Sequence, residues 1–234
     1  MVWVLRTGAP WRNVPERYGK WTTIYSRLQR WRKSGVWDRM FAELQTALDV
    51  ESNVDWEIHF NDSTTVRAHQ HAAGAKKHSR TRELGRSCGG FSTKIQIRCE
   101  STGRLVTFLL KPGQESDMAQ AKQPMERGAI RRASGRTRLR PERLMADKGY
   151  TSTVLRSYLH RHHGRCTIAH RSIERRRGSF DKQHYRKRII VERLINRLKQ
   201  FRRIATRYEK RAANFAAMIT IASIFLFSDF AYRL

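Results

Sequence analysis

Hydrophobic and polar positions repeat with a helical period near the start of the chain. Apolar residues recur every three to four positions, which predicts a helix over residues 22–33 and a second one over 38–48. Thr22 or Thr23 can cap the first helix. The initial stretch VWVLR is typical of the end of a helix, and the Gly-containing turn SGVW joins the two helices that follow. Residues 1–50 are therefore predicted to form a helix-turn-helix-like module, with a purely structural, Trp-filled helical module as the alternative.

From residue 56 the period changes to two, as in a strand with one buried face. In the stretch WEIHFNDSTTVRA this face carries Ile58, Phe60, Asp62, Thr64 and Val66. FSTKIQIRCE and RLVTFLL, separated by STG, predict a hairpin, RLMA predicts a strand that ends at Asp147, and RCTIAH predicts another strand. Helices are predicted between these strands and over about 184–204 and 212–228. The mixed order predicts an α/β domain over 51–234, with a central sheet flanked by helices.

Charge narrows the possible partners. The chain has 48 Lys and Arg residues against 20 Asp and Glu, a net charge of +28 over 234 residues. Such a chain repels itself unless a polyanion neutralises it, and nucleic acid is the polyanion that releases counterions on binding. The basic residues run along the whole chain rather than forming one juxtamembrane cluster, and the longest apolar stretch, 215–227, is too short to span a bilayer. We expect nucleic acid, and no membrane, as the partner.

The cysteines show the pattern of neither a metal site nor a disulfide framework. Their number is odd and none of them has CxxC spacing: Cys88, Cys99 and Cys166. This pattern indicates a reducing cytosol and argues against both a disulfide framework and a structural zinc site. The loop histidines His69, His71 and His78 have no cysteine at ligand spacing, so solvated or phosphate-contacting histidines are favoured over a zinc site.

In so basic a chain, acids at strand ends are candidates for chemistry. Asp62 lies on the predicted strand, and Asp147 follows LMA at a strand's carboxyl end, where α/β folds gather their sites. Glu192 is the lone acid in YRKRIIVERLINRLKQ. It lies beside a predicted buried stripe formed by Val191, Leu194, Leu198, Phe201 and Ala205. The adjoining stripe comprises Arg188, Glu192, Asn196, Lys199 and Arg203. An ion pair with Arg188 one turn earlier is the alternative explanation for Glu192.

Three separated carboxylates suit phosphoryl transfer on DNA. Two divalent cations about 4 Å apart clamp the attacking and leaving oxygens in such reactions, and Mg²⁺ prefers carboxylate and water oxygens. Neighbouring Lys and Arg side chains then hold the phosphates. Two aspartates from strands and one glutamate from a helix fit this chemistry, although their spacing alone is weak evidence.

The spacing around Glu192 is more specific. Tyr185, two residues, Arg188, three residues, Glu192, six residues and Lys199 match the Y-x2-R-x3-E-x6-K signature of DDE transposases from bacterial insertion sequences of the IS4/IS5 type. The stretches LRTGAPWRNVPERYGKW, DSTTVRAHQHAAGA, GGFSTKI, ADKGY and VERLINRLKQFRRIATRYEK resemble the same family, so the similarity covers nearly the whole chain. Members usually carry more residues before the segment that matches VWVLRTG, which predicts a chain shortened at its N-terminus.

The resemblance implies an RNase H-like core and metal-dependent strand cleavage and strand transfer at terminal inverted repeats. It implies that Asp62, Asp147 and Glu192 are the catalytic and metal-binding residues and that they hold two ions, Mg²⁺ or Mn²⁺. It also implies DNA as the partner, both inverted repeats and target, a homodimer in the synaptic complex, and a bacterial cytoplasm near the nucleoid. DNA-contacting positions are expected at Tyr185, Arg188, Asn196, Lys199, Arg203, His69 and Lys148.

Other acids and other functions remain as alternatives. Asp55 is predicted as a turn residue or cap, Asp117 as a helix cap or as part of a loop near the site, and Asp181 and Glu174 as partners of arginines in the basic loop 171–183. A non-catalytic DNA-binding repressor or domesticated regulator is the main alternative function. A structural RNA- or DNA-binding protein of ribosomal type is a third possibility, and it would need no aligned set of acids.

Overall fold

The N-terminal region is helical, as predicted. The structure, a computed structural model, describes residues 1–73, 83–87, 89–118, 121–132, 134–169 and 181–231. Its first helices are α1 (Val2–Thr7), α2 (Trp21–Lys33) and α3 (Val36–Val50), with short 3-10 turns at Trp11–Asn13 and Glu16–Tyr18. Gly35, at a positive φ of 70°, makes the turn between α2 and α3. The predicted threonine cap is wrong, because α2 already begins at Trp21 and no side-chain hydrogen bond caps it in the described structure.

The middle of the chain builds the sheet. Strand β1 (Ile58–Ala68) leads through the short α4 (Gln70–Ala73) to β2 (Gly85–Ser87). The predicted hairpin is confirmed as β3 (Gly90–Glu100) and β4 (Leu105–Pro112). Of the predicted polar loop 69–90, residues 74–82 and 88 lie outside the described residues, and with them His78 and Cys88.

After the hairpin, short elements return the chain to the sheet. They are α5 (Gln123–Glu126), β5 (Ile130–Arg131), β6 (Thr137–Arg138), β7 (Arg143–Ala146), a 3-10 turn at Lys148–Tyr150, α6 (Thr153–Arg161) and β8 (Arg165–Ile168). The strands predicted from RLMA and RCTIAH are thereby confirmed. Residues 170–180, most of the predicted basic loop and its Glu174, lie outside the described residues.

The predicted helix over 184–204 is wrong as a single element. The structure has α7 (Lys182–Arg186), α8 (Ile189–Gln200) and α9 (Arg202–Ala205), followed by β9 (Thr206–Arg207) and α10 (Ala212–Ala231). Between α8 and α9, Phe201 has an extended backbone with ψ of 101° and a side chain that is 5% exposed. Packing of this ring into the core outweighs the local preference to continue the helix, as tertiary contacts often do.

The strand order brings the candidate acids together. Along the sheet the order is β4-β3-β1-β7-β8, with β3 antiparallel to β1 and β4, and β7 parallel to β1 and β8. This mixed sheet with flanking helices confirms the predicted α/β, RNase H-like fold class. The parallel register pairs Asn61 of β1 with Ala146 of β7, so Asp62 and Asp147 are the next residues of two adjacent strands.

One hydrophobic core joins the N-terminal helices to the sheet. Leu5, Leu28 and Trp37 belong to the same buried cluster as Phe60 of β1 and Phe215 of α10. Helix α10 is apolar almost all round, as expected for a helix buried in a core. In the part of the chain that the structure describes, no helix has the length and apolar character needed to cross a membrane.

Candidate active site

Two aspartates lie side by side where β7 leaves the sheet. Asp62 accepts a hydrogen bond from the backbone N–H of Ser63 at 2.8 Å. Asp147 is the first residue after β7 and accepts from the backbone N–H of Lys148 at 2.7 Å, which caps the 3-10 turn that follows. Each carboxylate is therefore held by the backbone next to it. Asp147 follows the carboxyl end of β7, as predicted for an α/β site, and Asp62 lies in the middle of β1, at the level where β7 ends.

Arg188 joins these aspartates to the glutamate on α8. Its Nη2 donates to Glu192 Oε1 at 2.6 Å, and its Nη1 lies 3.8 Å from both Asp62 Oδ2 and Asp147 Oδ1. The Arg188 side chain is only 17% exposed, whereas that of Glu192 is 48% exposed. The ion pair considered as an alternative explanation for Glu192 is thus present, but the same guanidinium also faces both aspartates. One cationic group gathers all three candidate carboxylates.

The pKa values record this clustering. Burial is the main cause that raises the pKa of Asp62, and the nearby charges of Asp147 and Glu192 add to it, while Ser63 and Arg188 oppose it. Burial lowers the pKa of Arg188, but Asp62, Tyr185, Asp147 and Glu192 together raise it above its ordinary value. The guanidinium therefore stays charged and offsets the repulsion among the three acids.

The donor set fits a hard divalent cation in its chemistry. Three carboxylates offer the oxygen ligands that Mg²⁺ and Mn²⁺ prefer. Within the described residues, however, no three acidic, His or Cys side chains lie close enough together to hold one ion. The carboxylates surround a guanidinium, so an ion at this place would have to replace it.

The other expected contact residues fall into two groups. In the first group, Tyr185 donates from its hydroxyl to Asp147 at 3.3 Å, and Lys148 is exposed beside that aspartate. Asn196 and Lys199 lie further along α8, where Asn196 is exposed and Lys199 is half-buried. Arg203 differs, because its side chain is 6% exposed and its Nε donates to Glu209 at 2.6 Å. It lies beyond the end of α8, in the wall of a separate cavity.

The described contacts of His69, like those of Arg203, are with residues outside the group around Arg188. Its Nδ1 accepts a 3.3 Å hydrogen bond from the backbone N–H of His71, and its ring stands 4.6 Å from that of His71 and 5.0 Å from that of Tyr208. These ring contacts bring it to the segment after α9. The roles of His69 and Arg203 as DNA contacts stay predictions.

Asp117 is the functional candidate that sequence reasoning undervalued. Its Oδ1 accepts from Ser63 Oγ at 2.7 Å and lies 3.1 Å from Lys94 Nζ, which also donates to the carbonyl of Glu115 at 2.6 Å. Asp117 is not a helix cap, because α5 begins only at Gln123. Its loop instead contacts the residue that follows Asp62. The polar stretch PGQESD directly after a strand was the available signal, but no local pattern shows which strand this loop contacts.

Tyr150 ties the same network to the second aspartate. It ends the 3-10 turn that Asp147 caps, and it is 1% exposed. Burial is the main cause that raises the pKa of Tyr150 above its ordinary value, and the charge of Asp117 adds to it, while the nearby polar side chains of Ser63 and Gln96 oppose it. The network therefore reaches both strands that carry an aspartate.

The remaining acids have structural partners. Asp55 accepts from the backbone N–H of Glu57 at 2.7 Å, which confirms the predicted turn. Asp181 caps α7 through the N–H of His184 at 3.0 Å and lies 3.6 Å from Arg143 of β7. Arg143 of the sheet is thus one arginine partner of Asp181, while the arginines of the basic loop lie outside the described residues. These contacts separate both acids from the group around Arg188.

Comparison with known proteins agrees with this geometry. The family model described as "Transposase DDE domain" matches residues 57–227, and the one described as "Putative transposase of IS4/5 family" matches residues 1–41. The first match spans the sheet, the three carboxylates and the final helices. The chain is therefore a DDE-domain protein. It belongs to the DDE transposase family of the IS4/5 type, as the sequence motif predicted.

Curated relatives match the chain over shorter stretches. The "Uncharacterized protein y4sN" of Sinorhizobium fredii is 44% identical over 77 residues, 33% of this chain and 57% of that protein. The "Insertion element IS402 uncharacterized 16.2 kDa protein" of Burkholderia cepacia is 34% identical over 70 residues, 29% of this chain and 48% of that protein. The chain thus spans about half the length of these relatives.

Solved transposase structures are similar only distantly. The "Mos1 Strand Transfer Complex" is 11% identical, with a TM-score of 0.33 over 97% of this chain and 74% of that one. The "Mos1 mariner paired end complex with Mn" is 10% identical, with a TM-score of 0.25 over 97% of this chain and 77% of that one.

Proposed function

We propose that this chain is an insertion-sequence transposase that cuts DNA strands and joins them to a target at the terminal inverted repeats of its element. The observation that carries the proposal is the convergence of Asp62, Asp147 and Glu192 on the single guanidinium of Arg188. Side chains from the middle of β1, from the residue that follows β7 and from α8 reach one place. Family membership supports this class of reaction, and the convergence supports this place in the molecule as its site.

Asp62, Asp147 and Glu192 are the residues that would hold the divalent ions, two of Mg²⁺ or Mn²⁺. When bound, such ions supply an activated water or 3′-hydroxyl and stabilise the charge of the phosphate under attack. Arg188 would hold the three carboxylates close together beforehand. Its guanidinium would then move to a DNA phosphate, for which it offers two parallel N–H donors.

Tyr185, Lys148, Asn196 and Lys199 would hold the DNA on either side of these acids. Lys148 and Asn196 are exposed, Lys199 is half-buried, and the Tyr185 hydroxyl already contacts Asp147. Asp117 would act as a positioning residue through Ser63. Because two transposon ends must be joined in one reaction, we expect a homodimer on DNA, acting at the nucleoid in the bacterial cytoplasm. The alternative of a non-catalytic repressor is not favoured, since the DDE family model spans all three acids.

Cleavage of end-containing DNA tests this function. The substrate carries the inverted repeats that flank the gene, and the protein is incubated with it in Mg²⁺, in Mn²⁺ or in EDTA. We expect strand nicks at the ends of the element with either ion and none in EDTA. Asp62→Asn and Glu192→Gln should abolish the nicks and leave the gel-shift affinity for the same DNA nearly unchanged.

A matched control shows whether removing any carboxylate near the strand is enough to reduce cleavage. Glu57→Gln removes an exposed carboxylate just before β1 and should retain full cleavage. Full cleavage by Asp62→Asn or by Glu192→Gln would overturn the assignment of that acid. Equal cleavage in EDTA would overturn the metal dependence.

A further inference from the structure

The side of the sheet opposite the carboxylate of Asp62 carries a second group of polar side chains. Ser63 follows Asp62 on β1, and successive side chains of a strand point to opposite faces of the sheet. Gln96 of β3 is the cross-strand partner of Ser63, so these two side chains share a face. Burial raises the pKa of Tyr150, and the polar side chains of Ser63 and Gln96 lower it, so both lie close to the phenol oxygen. Side chains from β1, β3 and the turn after β7 therefore meet behind the two aspartates.

Two of these side chains have a polar atom that is buried and unpaired. The hydroxyl oxygen of Tyr150 and Nε2 of Gln96 have no hydrogen-bond partner among the described residues. The two residues are only 1% and 2% exposed. Such an atom keeps the full cost of its removal from water unless something bonds to it. Because the phenol and the amide lie close together without a direct hydrogen bond, a water molecule between them is the expected partner.

Ser63 completes the set of partners that a buried water needs. Its Oγ donates its single proton to Asp117 Oδ1 at 2.7 Å, which leaves the lone pairs of this oxygen for a donor. Gln96 Nε2 can only donate, Ser63 Oγ is then an acceptor, and the Tyr150 hydroxyl can act either way. A water at this place would form about three hydrogen bonds, which is typical of a buried water.

The same face of the sheet is polar beyond this group. Asn61, two positions before Ser63 on β1, is 0% exposed, and both polar atoms of its amide lack a hydrogen-bond partner in the part of the chain that the structure describes. Apolar interior space stays dry, whereas polar interior space holds water. We propose that one buried water molecule is bound between Tyr150, Gln96 and Ser63, and that this bridge fixes the spacing between Asp62 and Asp147. Tyr150 and Gln96 are thus positioning residues for the two aspartates.

The bridge acts where the pairing of the two strands stops. The parallel register of β1 and β7 ends at Asn61 and Ala146, one residue before each aspartate. Beyond that point the turn is closed by the N–H of Tyr150, which donates to the carbonyl of Asp147 at 2.9 Å. A link from the Tyr150 side chain to Ser63 therefore joins the two backbone segments that carry the carboxylates. The inference rests on the proposed function for the ions that these carboxylates would hold, but the bridge itself needs neither ion nor DNA.

The sign of a stability change tests the bridge. Removing an unpaired buried hydroxyl should leave the melting temperature unchanged or raise it, whereas removing a bridged one should lower it. We expect Tyr150→Phe, without metal, to melt about 2–4 °C below the wild type in differential scanning calorimetry. Tyr158→Phe is the matched reference, because Tyr158 is 4% exposed and its hydroxyl accepts from Arg140 Nε at 2.9 Å. Gln96→Leu should lower the melting temperature too, and the double variant should lose less than the sum, since both changes remove the same water.

Metal affinity tests the positioning role. Mn²⁺ binding is measured by electron paramagnetic resonance in the absence of DNA. Groups that orient metal-binding side chains contribute about 10–100-fold in affinity, so we expect Tyr150→Phe and Gln96→Leu to bind Mn²⁺ about tenfold or more weakly than the wild type. Gln96→His keeps a ring N–H donor and should recover most of the affinity. Tyr158→Phe should bind Mn²⁺ like the wild type although it is less stable, a difference that a merely structural role would not produce.

Each outcome separates this proposal from the proposed function. A melting temperature of Tyr150→Phe at or above that of the wild type would refute the bridge, and so would a high-resolution crystal structure with no ordered water in contact with Tyr150 Oη and Gln96 Nε2. Equal Mn²⁺ affinity in the wild type, Tyr150→Phe and Gln96→Leu would refute the positioning role. Absence of end cleavage by the wild type, with the stability and affinity differences intact, would count against the proposed function alone.

Discussion

Arg188 and Glu192 lie one helical turn apart at the start of α8 and share a 2.6 Å charge-assisted hydrogen bond. The other Nη of the same guanidinium faces two aspartates at 3.8 Å, so the pair is the helical side of a four-residue charge cluster. A surface pair of this spacing contributes only a few tenths of a kcal/mol by itself. Its importance here is that it places the helix against the middle of β1 and the end of β7.

Replacing Arg188 with Ala should destabilise the fold, because no cation then offsets the repulsion among the three acids. In EDTA we expect a lower melting temperature and a free energy of unfolding that is smaller by about 1 kcal/mol. The loss is small because Glu192 is half exposed and solvent partly screens the pair. Mg²⁺ should then raise the melting temperature of Arg188→Ala more than that of the wild type, because no internal cation competes. Differential scanning calorimetry with and without Mg²⁺ measures this, and Arg186→Ala, on the exposed side of α7, is the control. Equal Mg²⁺ shifts in all three proteins would contradict the competition.

Replacing Asp117 with Ala should impair cleavage more than DNA binding. Lys94, with a side chain only 14% exposed, and the Ser63 hydroxyl would each lose their carboxylate partner, at a cost of about 1–3 kcal/mol. Urea unfolding measures the stability loss and end cleavage measures the rate. Asp117→Asn keeps an acceptor for Ser63 and should recover part of the rate.

A neighbour in the same loop separates this effect from loop damage. Ser116→Ala removes a hydroxyl that accepts from the backbone N–H of Met118 at 3.3 Å, and it should cleave like the wild type. If Ser116→Ala and Asp117→Ala lose cleavage equally, Asp117 has no special positioning role.

His59 should make the fold sensitive to acid. It is fully buried on β1, and burial, followed by the charge of Arg98, holds the pKa of His59 well below its ordinary value of about 6.5. The unfolded chain takes up a proton as the pH falls through about 6.5, whereas folded His59 stays neutral. Stability is therefore present above this pH and is lost below it, by up to about 1.4 kcal/mol per pH unit for one group.

The measurement is urea unfolding between pH 5 and pH 7.5. His59→Gln should flatten the dependence by about one proton, whereas the exposed His160→Gln should leave it as in the wild type. A slope that His59→Gln does not change would show that other groups cause the acid sensitivity.

Lys148 and Lys199 should each contribute one phosphate contact. Each substitution with Gln is expected to reduce the slope of log affinity against log salt concentration by about 0.9 for duplex DNA. Lys122→Gln is the control, because the charge of Lys122 is already paired with Glu126 at 2.6 Å. Gel shifts of end-containing DNA at several salt concentrations supply the slopes, and an unchanged slope for Lys148→Gln would place this residue off the DNA.

The sequence predicted where most helices and strands lie better than it predicted where the helices end. Periodic apolar positions located α2, α3, β1, the β3–β4 hairpin and α10, because each of these elements buries one consistent face or is buried all round. The same patterning failed over 184–204, where it predicted one helix. The local sequence there favours a helix throughout, and only the burial of Phe201 in the shared core breaks it.

By itself the sequence also determined the family and the strongly basic character, and it predicted the three acids. The gaps between Tyr185, Arg188, Glu192 and Lys199 are local, so one chain suffices to read them. Tertiary structure alone decided that Asp62 and Asp147 lie side by side, because the parallel register of β1 and β7 joins residues 85 positions apart. It alone brought Asp117 to Ser63, and Gln29, Glu209 and Asn214 into one cavity, since strand order and helix packing leave no periodic trace in the sequence.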